Sequence, residues 1–294
     1  MISRSGMSAR KRLGVLLKRR ERVLQESMRH FLMALILPVL VQAQTPPPQA
    51  EGYQLMFSDS FDRLSLSPDG YGDYTWYPAI PWTAALPPPS LITAKDSALH
   101  LTWKKDQSLN DITISTVAHD LSHYHAYRYG YFEARMQWDV TAGAWPAFWM
   151  CPIQALRGET TGGEIDIFEG QGSYSRIFYG TVHVWKNNGK AQTFNRGCAC
   201  QLAVDNNFST WHKYGLLWIP GNMKWYYDDA ELYSVSVPTI FDQQDYFLML
   251  GSQEGVDWTY GNLQGVDAGS IRLNVDWMRV WQSPQTLPRA RSWR

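Results

Sequence analysis

The 294-residue sequence predicts an all-β fold, a two-sheet antiparallel β-sandwich of the jelly-roll kind with a concave cleft. Three observations carry the prediction. Short segments alternate apolar and polar residues, or are crowded with β-branched and aromatic ones: 99–103 (LHLTW), 131–138 (YFEARMQW), 164–168 (EIDIF), 181–185 (TVHVW), 214–218 (YGLLW), 223–227 (MKWYY) and 271–281 (IRLNVDWMRVW). Turn-forming clusters such as Pro220-Gly221-Asn222 and Asp228-Asp229 separate them. After Gln44, no stretch keeps a 3.6-residue apolar period long enough for a core-facing helix.

The chain begins differently from how it continues. Charge balances overall, 27 Lys and Arg against 27 Asp and Glu, but nine of the basic residues and only two of the acids precede Gln44. The remainder is therefore mildly acidic, which argues against a nucleic-acid binder, since phosphates call for a basic face. An aromatic content of 14% excludes a disordered chain. Residues 31–41 (FLMALILPVLV) form an apolar run behind Arg29 and His30. The run falls short of the roughly 20 residues of a membrane-spanning helix. It fits the hydrophobic region of a signal peptide, with cleavage after Ala43. The expected organisation is a leader over 1–43 (with translation starting at Met28), a Pro-rich linker over 44–52, the folded domain over 53–285 and a tail over 286–294. The reading is an exported monomer without a membrane anchor. In such a compartment Cys151 can pair with Cys198 or Cys200.

Within the domain the sharpest feature is Gly162-Gly163-Glu164-Ile165-Asp166-Ile167-Phe168-Glu169-Gly170. Side chains alternate on a strand, so Glu164 and Asp166 share one face and Ile165 and Ile167 take the other. Strict alternation would send Glu169 in among the isoleucines, where an unpaired carboxylate is costly. One extra residue at Ile167-Phe168, a β-bulge, returns it to the face of the other two acids. Carboxyls in a row repel one another, so their pKa values spread and one can stay protonated near neutrality. A protonated acid beside an ionised one is the equipment for cleaving a glycosidic bond. Taken alone, the acids fit a calcium site or a solvated strand equally well.

The flanking residues weigh in here. Trp145-Pro-Ala-Phe-Trp149, then Gly163-Glu-Ile-Asp-Ile-Phe-Glu169, then His183 resemble glycoside hydrolase family 16, the jelly-roll enzymes that include laminarinases, lichenases, agarases and carrageenases. Ordered blocks extend the resemblance through most of the chain: Leu55-Met-Phe-Ser-Asp-Ser-Phe-Asp62, Tyr129-Gly-Tyr-Phe-Glu-Ala-Arg135, Trp211-His-Lys-Tyr-Gly-Leu-Leu-Trp218, Met223-Lys-Trp-Tyr-Tyr-Asp228 and Val275-Asp-Trp-Met-Arg-Val-Trp-Gln282. The resemblance implies a retaining double displacement. Glu164 would be the nucleophile, Glu169 the general acid and base, and Asp166 the residue that tunes the nucleophile. It also implies a structural calcium through Asp276 and no cofactor for catalysis itself.

Trp145 and Trp149, four residues apart on a strand, share a face and suit sugar stacking, and Trp185 and His183 follow one parity on the next strand. Arg135, two residues after Glu133, is the remaining substrate-binding candidate, a structural salt bridge being its alternative. Trp103, Trp218, Trp225 and Trp277 are assigned to packing. The His-rich segment His119-Asp-Leu-Ser-His-Tyr-His125 reads as a loop at the cleft edge rather than a metal site. Phe247-Leu-Met-Leu-Gly-Ser-Gln-Glu-Gly255 departs from the family pattern where subsites are shaped. The expected partner is a polysaccharide, first a β-1,3- or mixed-linkage glucan. The competing readings are a galactan hydrolase, a transglycosylase and a carbohydrate-binding protein without turnover.

Overall fold

The computed structural model describes residues 45–105, 109, 111–159, 161–172, 176–186, 190–193, 207–254 and 270–285. The expected leader, its cleavage site, the tail, Cys198 and Cys200 all lie outside the described residues. Two eight-stranded sheets make up the domain. The first runs β14 (Ala230–Ser236), β13 (Asn222–Tyr227), β12 (His212–Ile219), β7 (Gly130–Trp138), β16 (Ser270–Gln282), β4 (Ala98–Lys104) and β3 (Ile92–Lys95), with β1 (Gln54–Asp59) also paired to β16. The second runs β11 (Lys190–Thr193), β10 (Phe178–Lys186), β9 (Gly162–Gly170), β8 (Ala144–Pro152), β15 (Tyr246–Glu254), β5 (Asp111–Ser115) and β2 (Tyr77–Pro78), with β6 (Ala126–Tyr127) also on β15. Pairings between these strands are antiparallel throughout, as in β8 with β9 and β7 with β16. A single turn of helix, α1 (Ile153–Leu156), follows β8.

Alternation decides what each face meets. In β7, Phe132, Ala134, Met136 and Trp138 enter the core between the sheets, which leaves Tyr131, Glu133 and Arg135 on the outer face of the first sheet. In β8, Phe148 and Met150 turn inward, while Trp145, Trp149 and Cys151 have the opposite parity. Burying such large apolar side chains stabilises by about 1.5–3 kcal/mol each, so a register slip of one residue is prohibitive. Of the tryptophans assigned to packing, Trp103, Trp218 and Trp225 are buried in this core. Trp277 is not. A bulge between Val275 and Trp277 shifts the parity of β16, and the Trp277 ring lies under the Arg279 guanidinium at 4.0 Å.

The outer face of the first sheet carries a small cluster of its own, Tyr131, Tyr226, Trp281 and Ala50. Ala50 ends a 3-10 turn (Pro48–Ala50), is fully buried, and belongs to the same compact unit as the sandwich. From Pro46 onward the Pro-rich stretch belongs to the same compact unit as the sandwich. Gln49 adds a hydrogen bond to the carbonyl of Asp229.

Candidate active site

Strand β9 carries the acid row, and its pairing contains the bulge. Against β10, Tyr179 faces Glu169 but Thr181 faces Asp166, so two steps on β10 oppose three on β9. Against β8 the slip recurs between Phe148 and Trp149. Ile165, Ile167 and Phe168 all pack in the core, and Glu164 and Glu169 are both partly exposed at the outer face. Asp166 is only 2% exposed.

A residue from the opposite sheet holds the bulge. The Trp225 indole crosses the core from β13 and donates its Nε1–H to the backbone carbonyl of Asp166 at 3.0 Å. Room for it exists because position 180 is glycine: a Cβ there would lie 2.3 Å from Trp225 Nε1. The sequence offered no sign of this contact, because its partners lie far apart in the chain and on different sheets.

The row is electrostatically crowded. Loss of water pushes the Glu164 carboxyl well above the usual carboxylate range, and the neighbouring Asp166 charge adds to it. Asp166 is pushed up in the same direction, by burial first and then by Glu169. His183 sits directly across from Glu164 in the β9–β10 register, and its Nε2 lies 3.1 Å from Asp166 Oδ2. Trp145 donates its indole N–H to Glu169 Oε1 at 3.0 Å. Cys151, a fully buried free thiol on β8, has its pKa raised by burial and by the charges of Glu164 and Asp166.

Beside the acids lies a second apolar cluster on the outward side of this sheet. It joins Cys151, Phe247 and Met249 to Val117 and Ile153, with Ile80, Leu121, Tyr124, Trp149 and Trp185 packed against it. The His-rich segment therefore borders the site through Leu121 and Tyr124. Two of its imidazoles turn elsewhere: His119 Nε2 meets the Pro78 carbonyl at 3.0 Å, and His125 packs edge-on against Phe57. Sequence reasoning passed over Trp82, which is 52% exposed and edge-on to Trp149 with ring centroids 6.0 Å apart. An exposed tryptophan in a loop between Pro and Thr was a signal available in the sequence.

Two candidates fall away from the acids. Arg135 belongs to the first sheet, on its outer face, where its guanidinium pairs with Asp276 and lies over the Trp211 ring. It does not reach the cleft, because the inward places of β7 belong to Phe132, Ala134 and Met136. Asp276 is a poor fit to a calcium ion: its carboxylate already carries Arg135, and Arg279 is a second neighbouring cation. Among the described residues, the only group of three or more His, Cys, Asp and Glu side chains close enough to share a metal is Glu164, Asp166 and His183, whose ligand atoms lie within 4.8 Å of one another.

Crowded carboxyls on one face of a β-sandwich strand, with tryptophans beside them, suit a glycoside hydrolase. Residues 89–279 match glycosyl hydrolases family 16, and the chain belongs to that family. A β-glucanase of Rhodothermus marinus is 30% identical over 172 residues, 53% of this chain and 58% of the relative. The endo-1,3-1,4-β-glycanase EglC of Rhizobium meliloti is 30% identical over 160 residues, 53% of this chain and 31% of the relative. The chain thus spans under two thirds of the length of either. Among solved structures, the catalytic domain of an endo-1,3-β-glucanase (laminarinase) from Thermotoga petrophila shares the fold, with a TM-score of 0.59, 22% identity, and coverage of 78% of this chain and 98% of that one. The endo-β-1,3-glucanase of Pyrococcus furiosus is alike at a TM-score of 0.58 and 20% identity, covering 78% and 94%.

Proposed function

We propose that this chain is an exported, monomeric, endo-acting β-glucanase that cleaves β-1,3- or mixed-linkage β-glucan with retention of configuration. The observation that carries the reading is the bulge in β9, which gives Glu164, Asp166 and Glu169 a common outward parity. Glu169 protonates the leaving glycosidic oxygen while Glu164 attacks the anomeric carbon. The C–O bond to the departing sugar breaks as the bond to Glu164 forms. Glu169, now ionised, takes a proton from water, whose oxygen displaces Glu164 and releases the sugar.

Glu164 must be ionised to attack, although its surroundings favour the protonated form. Asp166, deeply buried between the two glutamates with His183 Nε2 beside its Oδ2, is the group that tunes the nucleophile. Trp149, Trp185 and Trp82 supply flat surfaces for the C–H faces of sugar rings. The substrate names of the relatives favour glucan, and the acidic balance of the chain after Gln44 fits a neutral glycan better than a sulphated one.

The test is a panel of laminarin, lichenan, agarose and carrageenan, read by reducing ends and product size. Mid-chain cleavage of laminarin or lichenan, with the β-anomer formed first by proton NMR, is expected. Cleavage of the galactans alone, or an α-anomer first, overturns the reading. Export is tested separately by N-terminal sequencing of the mature protein, with Gln44 expected as its first residue.

A further inference from the structure

Trp145 was read from the sequence as a sugar-stacking residue, yet its polar edge is turned to an acid. Its Nε1–H points at Glu169 Oε1, 3.0 Å away. The indole reaches there along a diagonal, since Ala147 is the β8 residue directly across from Glu169 and Trp145 lies two places along the same face. The backbone between them is pinned: Pro146 packs so closely under Gly170 that a Cβ at that position would come within 2.7 Å of the Pro146 ring.

An indole N–H can donate a hydrogen bond and cannot accept one. A carboxyl oxygen that accepts from it is not the oxygen that carries the acidic proton towards the same partner. We infer that Trp145 is a positioning residue for the acid step: its N–H occupies Oε1 of Glu169, so that the transferable proton resides on Oε2 and is presented away from the indole. Once that proton has passed to the leaving oxygen, the same N–H meets a full carboxylate, and the hydrogen bond becomes charge-assisted and stronger. The bond thus gains strength as the reaction proceeds, which is the condition for lowering a barrier rather than merely binding substrate. The inference rests on the proposed role of Glu169 as general acid.

The experiment compares two leaving groups in Trp145→Phe and in Trp145→β-(3-benzothienyl)alanine, an isostere that keeps the bicyclic ring and lacks the N–H. One substrate is a β-1,3-gluco-oligosaccharide, whose sugar leaving group needs protonation. The other is a 2,4-dinitrophenyl β-laminaribioside, whose phenolate departs without it. For both variants kcat/KM on the oligosaccharide should fall about tenfold, the worth of one hydrogen bond to a charged group. Oligosaccharide Kd and kcat/KM on the aryl glycoside should stay near the parent values, and the latter also reports an intact fold. Equal losses on both substrates, or a weaker Kd that accounts for the whole loss, would overturn the inference. Glu169→Ala, measured alongside, separates the two levels. It should lose about 10²–10⁴-fold on the oligosaccharide and little on the aryl glycoside. If it shows no such dependence, the role of Glu169 fails; if it does and the Trp145 variants do not, only the role of Trp145 fails.

Discussion

Gly180→Ala probes the support beneath the acid row. The backbone of Gly180 is ordinary strand, so alanine meets no conformational penalty there. Its Cβ, however, would sit 2.3 Å from Nε1 and 2.4 Å from Cδ1 of Trp225, an indole fixed in the core. Something must give, and what the Cβ meets is the indole that bonds the Asp166 carbonyl. Overpacking of this kind costs about 1–3 kcal/mol, and a buried carbonyl left without its donor costs about 1–3 kcal/mol more. Because displacing the indole relieves part of the first while incurring the second, the sum expected is about 2–4 kcal/mol. For a domain of this size that lowers Tm by roughly 4–16 °C. Calorimetry reads the first effect; the second is on turnover, since a loosened bulge lets Glu169 drift from the parity of Glu164. kcat on laminarin should fall more than KM rises. A Gly180→Ala protein with the parent's Tm and kcat would refute the claim that Trp225 clamps the bulge.

Other expectations follow from the same geometry. Glu164→Gln should abolish turnover while leaving glycan binding in place, and it should also stabilise the protein at neutral pH. The folded state raises the pKa of Glu164 and Asp166, so it binds more protons than the unfolded chain above the unfolded carboxylate values of about 4, and stability falls as pH rises from there through the raised folded values. The Tm gain of the variant should therefore be present at pH 7 and vanish by about pH 4; an equal gain at both would contradict the assignment. Trp82→Ala should raise KM on long glucans severalfold with kcat and Tm nearly unchanged, because the ring is half-exposed and supports little of the core. Arg135→Ala should leave kcat and KM untouched and cost at most about 1 kcal/mol in urea unfolding, as befits a partly exposed ion pair.

The acid row was legible in the sequence because burial leaves few choices: with isoleucines committed to the core, only an inserted residue could bring Glu169 outward. The face of Arg135 was legible too, from the apolar residues on either side of it. Its sheet was not, since membership of a sheet is set by pairing with strands such as β12 and β16, more than 70 residues away in the chain. The same limit concealed the Trp225 contact. Indole donors look alike in a sequence, and whether one bonds a carbonyl in the opposite layer depends on the layer spacing. For Trp277 the reason is local: a bulge in β16 reverses the parity that its neighbours announce.

The bulge in β9 also constrains how the strand can change in length. Glu164 and Glu169 are five positions apart, an odd interval that an unbroken strand would place on opposite sides, and one supernumerary residue reconciles them. Loss of a single codon between Asp166 and Glu169 would shorten the interval to four, which an unbroken strand keeps on one side, so the bulge would vanish with the deleted residue and both glutamates would still face outward. Gain of one would lengthen it to six, and with the bulge retained one glutamate would turn into the hydrocarbon interior. Surface loops around the site can lengthen or shorten and so retune which glycan is accepted, whereas a change of length in this short interval must add or remove the bulge with it. Diversification of such a scaffold is therefore easiest at its rim, while along β9 the number of residues and the presence of the bulge are tied to each other.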